Sequence, residues 1–167
     1  MIDIPDLIRD LHAGAPMASW IDPAILIAQA WAESRHNPAA NNPKDPGGRK
    51  ECLACGVLYP LKGLHCPACG QDAHRVHLGA FGLFQFLQPT WDQDVCRRHS
   101  EFDPYPTGPL EPQQATRGAI FYWGMIRQYL KNHWEAQVEI PPNAILACYN
   151  WGMGNVVEVM PHGWFGG

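Results

Sequence analysis

Residues 22–38 read Asp-Pro-Ala-Ile-Leu-Ile-Ala-Gln-Ala-Trp-Ala-Glu-Ser-Arg-His-Asn-Pro, and this stretch decides the fold. Asp22 carries the short acceptor side chain that caps a helix, and Pro23 suits the first helical position, where its missing N–H is no loss. Ala24 to Ala32 is apolar except for Gln29. A helix apolar nearly all round must bury most of its surface, so this one belongs to a core. Glu33 closes it, after turns built from Ile25, Ala28, Ala30, Trp31 and Ala32. Its carboxyl is expected to emerge from the core into a setting of low dielectric, where desolvation disfavours the charged form and keeps an acid protonated toward neutral pH. An exposed Glu in a helix C-terminal turn is the alternative that Glu33 by itself leaves open.

Outward from this helix the chain stays helical. Ile4, Leu7, Ile8 and Leu11 recur at the spacing of a short amphipathic helix that ends before Gly14 and Pro16. Downstream, Thr90 can cap a helix running through Arg98, and a proline-rich loop from Asp103 to Pro112 leads into the longest helical stretch. There Ala115, Ala119, Tyr122, Trp123, Ile126 and Leu130 make one face. Pro142 starts a last core helix, Asn143 to Asn150, which Gly152 and Gly154 terminate. With 167 residues and 46% apolar content, the chain can fill one main core. The net charge of −4 spreads as −3 over residues 1–42, +2 over 43–78 and −3 over 79–167, so no stretch forms a basic nucleic-acid footprint. No run reaches the ~18 apolar residues of a membrane span. The opening Met-Ile-Asp-Ile-Pro-Asp lacks the basic n-region of an export signal, so the chain is expected to be made in the cytoplasm.

The six cysteines fall into two groups. Cys52-x2-Cys55 and Cys66-x2-Cys69 have the spacing of two metal knuckles, with Gly56 and Gly70 each following the second cysteine of a pair. Four thiolates in tetrahedral array close the coordination shell of zinc and leave no place for a water, so one structural Zn2+ is expected at Cys52, Cys55, Cys66 and Cys69. Two disulfides are the alternative, disfavoured because an x2 spacing strains a local bridge. His65, His74 and His77 lie close by in sequence and read as surface residues. Cys96 and Cys148 read as buried free thiols.

Three patterns follow one another along the chain: Glu33-Ser34-x2-Asn37-Pro38, Gly79-x2-Gly82-Leu83-Phe84-Gln85-x3-Pro89-Thr90, and Tyr149-Asn150-x-Gly152-x-Gly154-Asn155. In this order they closely resemble the soluble lytic transglycosylase domain, the goose-lysozyme-like branch of the lysozyme superfamily. The resemblance covers residues 20–42 and 79–158. It implies a mostly α, lysozyme-like helical domain that cuts the β-1,4 bond between N-acetylmuramic acid and N-acetylglucosamine in peptidoglycan. Glu33 would be the sole acid and base, with the muramic 6-hydroxyl as nucleophile and a 1,6-anhydro sugar as product. No second carboxylate is then needed, unlike in two-carboxylate hydrolysis. Gln85 and Tyr149 would bond the sugars or the catalytic carboxyl, Asn150 would orient the loop or an N-acetyl group, and Phe84 and Ser34 would complete the substrate contacts. Read one at a time, the same residues suit duller roles: a surface Gln, a core Tyr, and an Asn that caps a helix. Trp31 and Trp123 read as packing, whereas Trp91 and Trp151, each beside a motif, are the candidates to stack on sugar rings.

The chain departs from the family in several places. Phe84 stands where many members have Met, Val76 stands where a serine is frequent, and the helix that often shows Gly-x2-Tyr-Leu reads Gly118-Ala119-Ile120-Phe121-Tyr122. The largest departure is length, because Glu33 and Gly82 are 49 positions apart, far more than is usual in the family. Residues 43–78 are therefore expected to be an inserted zinc ribbon or knuckle, and 1–42 with 79–167 the catalytic domain. The insertion is a surface for glycan, stem peptide or a protein partner, or a staple on a long loop. A hydrolytic goose-type lysozyme and an inert zinc-dependent binding module are the rival readings. Action at the bacterial cell wall without a visible signal suits a phage lysin, a virion component or a part of a secretion machine.

Overall fold

The computed structural model describes residues 2–41, 49–60, 63–77, 79–134 and 139–160. It is mostly helical, with one small sheet. Two compact units divide the chain, one formed by Met1–Gln29 with Thr116–Gly167 and the other by Ala30–Ala115.

In the first unit, helix α1 (Ile4–Ala13) starts where the Asp3 carboxylate accepts the Asp6 N–H at 3.0 Å, and it buries Ile4 and Ile8. A 3-10 turn at Pro16–Ala18 follows. The His12 ring fastens this corner, its Nε2 lying 3.0 Å from the Ala18 carbonyl oxygen and 2.8 Å from that of Ile21. Helix α2 (Pro23–Ser34) begins as the sequence predicts, with the Asp22 carboxylate accepting the Ala24 N–H at 2.8 Å. The long helix α4 (Pro112–His133) supplies Ala119, Trp123, Ile126 and Leu130 to the core. Gln29, the lone polar residue of the apolar run, is buried, and its Oε1 accepts the Trp123 Nε1–H at 2.9 Å. Helix α5 (Pro142–Trp151) adds Ala144, Ile145 and Cys148. Gly152, at φ 92°, ends α5, but Gly154 does not terminate anything: it lies inside helix α6 (Met153–Val159), which buries Val156 and Val157.

In the second unit the core gathers around Trp91, Phe84, Phe86, Leu83 and Val95. Trp91 is fully buried, donates its Nε1–H to the Asp103 carbonyl at 2.8 Å, and meets Phe86 and Phe102 edge-on. This corrects its reading as an exposed sugar platform. Thr90 does not cap a helix either. The helical turn already starts upstream, with the Trp91 N–H bonded to the Leu87 carbonyl, so Thr90 stands inside a wide π-helical segment, Thr90–Cys96. The proline-rich loop carries a short helix, α3 (Thr107–Leu110). Strands β1 (Arg49–Cys52), β2 (Leu58–Pro60) and β3 (His74–His77) form an antiparallel sheet in the order β2-β1-β3. Lys50 pairs with Tyr59 on one side and Val76 on the other. Most of the linker expected at residues 43–50 lies outside the described residues; Arg49 and Lys50 open β1.

Candidate functional site

Glu33 sits in the last turn of α2 and is half-buried. Removal from water raises its carboxyl pKa above the ordinary value, as expected for an acid at the edge of an apolar core. Ser34 is buried, and its hydroxyl donates to the Ala30 carbonyl at 2.8 Å, one turn back along the helix. The helix ends on two successive residues in the left-handed region, Arg35 at φ 58° and His36 at φ 60°. Glycine adopts that conformation without strain; residues with a Cβ do so at a cost and cluster where function demands it. The pair turns both side chains onto Trp31: the Arg35 guanidinium lies 5.1 Å from the ring centroid and His36 meets it edge-on at 5.3 Å. Trp31 is 50% exposed, so it is not the packing residue expected.

From Glu33 the chain passes through a turn at Asn37, whose side chain accepts the Ala39 N–H at 3.0 Å, and reaches Ala40. The Ala40 carbonyl then receives two donors from the glycine turn, the Gly82 N–H at 2.9 Å and the Gln85 Nε2 at 3.2 Å. Gln85 Nε2 also donates to the Gly82 carbonyl at 2.9 Å, and Gln85 itself is left-handed at φ 50°. The structure thus ties the glutamine turn to the segment that leaves the acid-bearing helix. Isolated bridges, Asn41 with Phe81 and Phe81 with Phe86, brace the same junction. The Tyr105 hydroxyl bonds the Gly79 and Phe86 carbonyls beneath it. Phe84 is fully buried under the turn.

Tyr149 and Asn150 belong to the other unit, on α5. Tyr149 is half-buried and meets Tyr122 in a T-shaped contact at 5.5 Å. Tyr122, one position after the residue that matches the family's usual tyrosine in α4, is thus a neighbour of Tyr149. Asn150 is exposed and donates its Nδ2–H to the Leu146 carbonyl at 3.0 Å. Trp151 is 56% exposed, as expected of a residue available for stacking.

The four knuckle cysteines come together. Their sulfur atoms all lie within 4.8 Å of one another, with Cys52 and Cys69 3.5 Å apart and Cys55 and Cys66 3.6 Å apart. Zn–S bonds of about 2.3 Å in a tetrahedron put sulfurs about 3.8 Å apart, so the set fits a metal and is too open for disulfides. All six cysteines are free thiols; Cys148 is buried, and Cys96 is half-exposed rather than buried. Burial opposes ionisation of Cys52, but the Ala54 and Cys55 N–H groups outweigh it and bring this thiol down to about 7. Cys69 receives the Gln71 N–H, yet its crowding by Cys52 and the other thiols pushes it up to about 12. Sulfurs this close cannot all carry charge without a cation among them.

A helical fold with an acid-ended apolar helix, a glycine-glutamine turn and a Tyr-Asn helix end defines a lysozyme-like protein. The chain belongs to the family described as the transglycosylase SLT domain, whose model matches residues 13–160. It is a lytic transglycosylase-type enzyme of the peptidoglycan cell wall. No curated protein and no solved structure matches the chain significantly. No helix among the described residues is long and apolar enough to cross a membrane.

Proposed function

We propose that Glu33 is the single acid and base of a reaction that cleaves the N-acetylmuramic acid to N-acetylglucosamine β-1,4 bond. The observation that carries this reading is the half-buried Glu33 carboxyl, whose pKa is raised by desolvation alone. Held protonated, it gives its proton to the glycosidic oxygen as the bond breaks; the resulting carboxylate then takes the proton of the muramic 6-hydroxyl as that oxygen closes on the anomeric carbon. The leaving sugar departs with the first proton, and the product ends in a 1,6-anhydro ring. Gln85, its amide nitrogen held by two backbone carbonyls, offers its amide oxygen to a sugar hydroxyl. Phe84 is the buried floor under that turn, and Ser34 supports the end of α2. Tyr149 and Asn150 are assigned as further sugar contacts on their sequence motif alone.

Residues 43–78 are an insertion into a domain made of 1–42 and 79–167. The bridge between Asn41 and Phe81 supports this, since a segment that leaves and returns at paired positions is added without disturbing its surroundings. Cys52, Cys55, Cys66 and Cys69 hold one structural Zn2+ in that insertion, which contributes folding free energy to a segment with little apolar surface of its own.

The test of the catalytic assignment is Glu33→Gln, near-isosteric but unable to give and retrieve a proton. Release of soluble fragments from purified peptidoglycan should fall at least ~10²-fold, the scale expected for a lost general acid. Retained release would remove Glu33 from the role.

A further inference from the structure

The two cysteine knuckles share one backbone geometry. In the first, the Gly56 N–H donates to the Cys52 carbonyl at 2.8 Å and the Cys52 N–H to the Val57 carbonyl at 3.0 Å. In the second, the Gly70 N–H donates to the Cys66 carbonyl at 2.8 Å and the Cys66 N–H to the Gln71 carbonyl at 3.0 Å. Gly56 and Gly70 stand at φ 72° and 73°, the left-handed conformation that glycine takes without strain. The likeness extends to exposure: the first cysteine of each knuckle, Cys52 or Cys66, is buried, and the second, Cys55 or Cys69, is exposed.

Two like turns around one cluster set the first cysteine of each against the second of the other. The Cys52 sulfur lies 3.5 Å from that of Cys69, and the Cys55 sulfur 3.6 Å from that of Cys66. Each of these pairs crosses between the knuckles and joins an exposed sulfur to a buried one. Disulfide bonds are about 2.05 Å long, so about 1.5 Å of approach closes either pair. The other pairings are worse: an x2 pair within a knuckle makes a strained bridge, and Cys52 with Cys66 joins two sulfurs that are both buried from an oxidant. The wall on which a transglycosylase-type enzyme acts lies outside the cytosol. Disulfides form and persist there, whereas the cytosol keeps thiols reduced.

We propose that the four cysteines are a redox-convertible staple: reduced, they hold the metal, and oxidised by a peroxide, they release it and form the disulfides Cys52–Cys69 and Cys55–Cys66. The inference rests on the metal reading of the four cysteines. The exposed sulfur reacts first. The Cys55 thiolate attacks one peroxide oxygen, so that an S–O bond forms, the O–O bond breaks and hydroxide leaves. The Cys66 thiolate then attacks the Cys55 sulfur; the S–S bond forms, and the S–O electron pair departs with a second hydroxide. Cys69 and Cys52 repeat the sequence with a second peroxide. Each sulfur pair gives up two electrons, each peroxide takes two, and the metal leaves unchanged as a dication once its ligands are gone. Both cross-links join the knuckles as the metal does, so β1, which carries Cys52, stays tied to the second knuckle in either state.

Full-length protein, purified reduced and loaded with Zn2+, is treated with hydrogen peroxide. Released zinc is read with a chromogenic chelator, free thiols are counted, and cross-links are mapped by partial reduction, alkylation and tandem mass spectrometry. The expected result is loss of the bound zinc and of four thiols per chain, with Cys52–Cys69 and Cys55–Cys66 as the cross-links and Cys96 and Cys148 still thiols. A dithiol reductant with fresh Zn2+ should restore the metal. Cross-links in either of the other pairings, or sulfinic acids in place of cross-links, overturn the proposal. In Cys55→Ser the Cys52–Cys69 bond should still form and leave Cys66 a free thiol; a bond from Cys66 to Cys52 or Cys69 there overturns the assigned partners. A reduced wild type that takes up no zinc overturns the metal reading, and the cross-link map then decides the pairing on its own.

Discussion

Replacing Gly82 with alanine should damage the turn that carries Gln85 more than any other single methyl group added to this unit. Gly82 sits at φ 81°, where a residue with a Cβ costs about 1–2 kcal/mol. An ideal Cβ there would lie 1.7 Å from the Pro109 carbonyl oxygen and 2.6 Å from its carbon, against the roughly 3.5 Å at which non-bonded heavy atoms rest. Both partners are backbone, so neither can swing aside, and forced displacement in a packed region typically costs about 1–3 kcal/mol. The two effects together come to about 2–5 kcal/mol. For a chain of this length each kcal/mol moves the thermal midpoint by about 2–4 °C, so a mid-range loss of about 3 kcal/mol lowers Tm by about 6–12 °C. Gly108→Ala separates the contributions. Its Cβ would meet the Asp103 carbonyl at 2.4 Å and the buried Trp91 ring at 2.5 Å, but Gly108 is not left-handed, so its loss should be smaller by the strain of the turn. Thermal unfolding followed by circular dichroism at 222 nm reads both. A Gly82→Ala chain within about 2 °C of wild type would refute the close approach of this turn to Pro109 and the strain argument with it.

Other outcomes follow from the same structure. Because folding raises the Glu33 pKa, the folded chain binds more protons than the unfolded one between the two values, and stability falls as pH rises through that window. Glu33→Gln should therefore melt above wild type at neutral pH, with the difference closing at pH values below the unfolded carboxyl's; melting curves across pH check this. Trp91→Ala should cost about 3–5 kcal/mol as a fully buried aromatic. Trp31→Ala should lose little stability, because half of its surface is already exposed; melting curves check this. Cys66→Ser should lose bound metal and the β1–β3 pairing while leaving helical circular dichroism near wild type; loss of the whole helical signal would show that the metal unit is integral to the core.

Much of this was legible because it is local. Asp22-Pro23 and Asp3 announce helix starts through side chains that reach only a few residues, and the two x2 cysteine pairs announce, through spacing alone, a four-thiol cluster able to hold a metal. What escaped depends on direction and on distant neighbours. Trp31 is exposed and Trp91 buried, the reverse of the expectation, because α2 is apolar all round, so its periodicity names no inner face, and because the wide turn at Thr90–Cys96 sets Trp91 against Phe86 and Phe102. Gly154 reads as a helix stop, yet only Gly152 has the backbone that breaks the helix. The left-handed pair Arg35-His36 has little signal of its own, since arginine does not favour that conformation and histidine enters it only occasionally.

The central claim is that the muramic 6-hydroxyl, with Glu33 as the only acid and base, replaces water as the nucleophile. Mass spectrometry of fragments released from purified peptidoglycan by the metal-loaded wild type tests it most directly. The account predicts new muramic ends lighter than their hydrolytic counterparts by one water and lacking a reducing group, with both signals lost in Glu33→Gln. Reducing, hydrated ends as the main product would contradict it and make this chain a hydrolase.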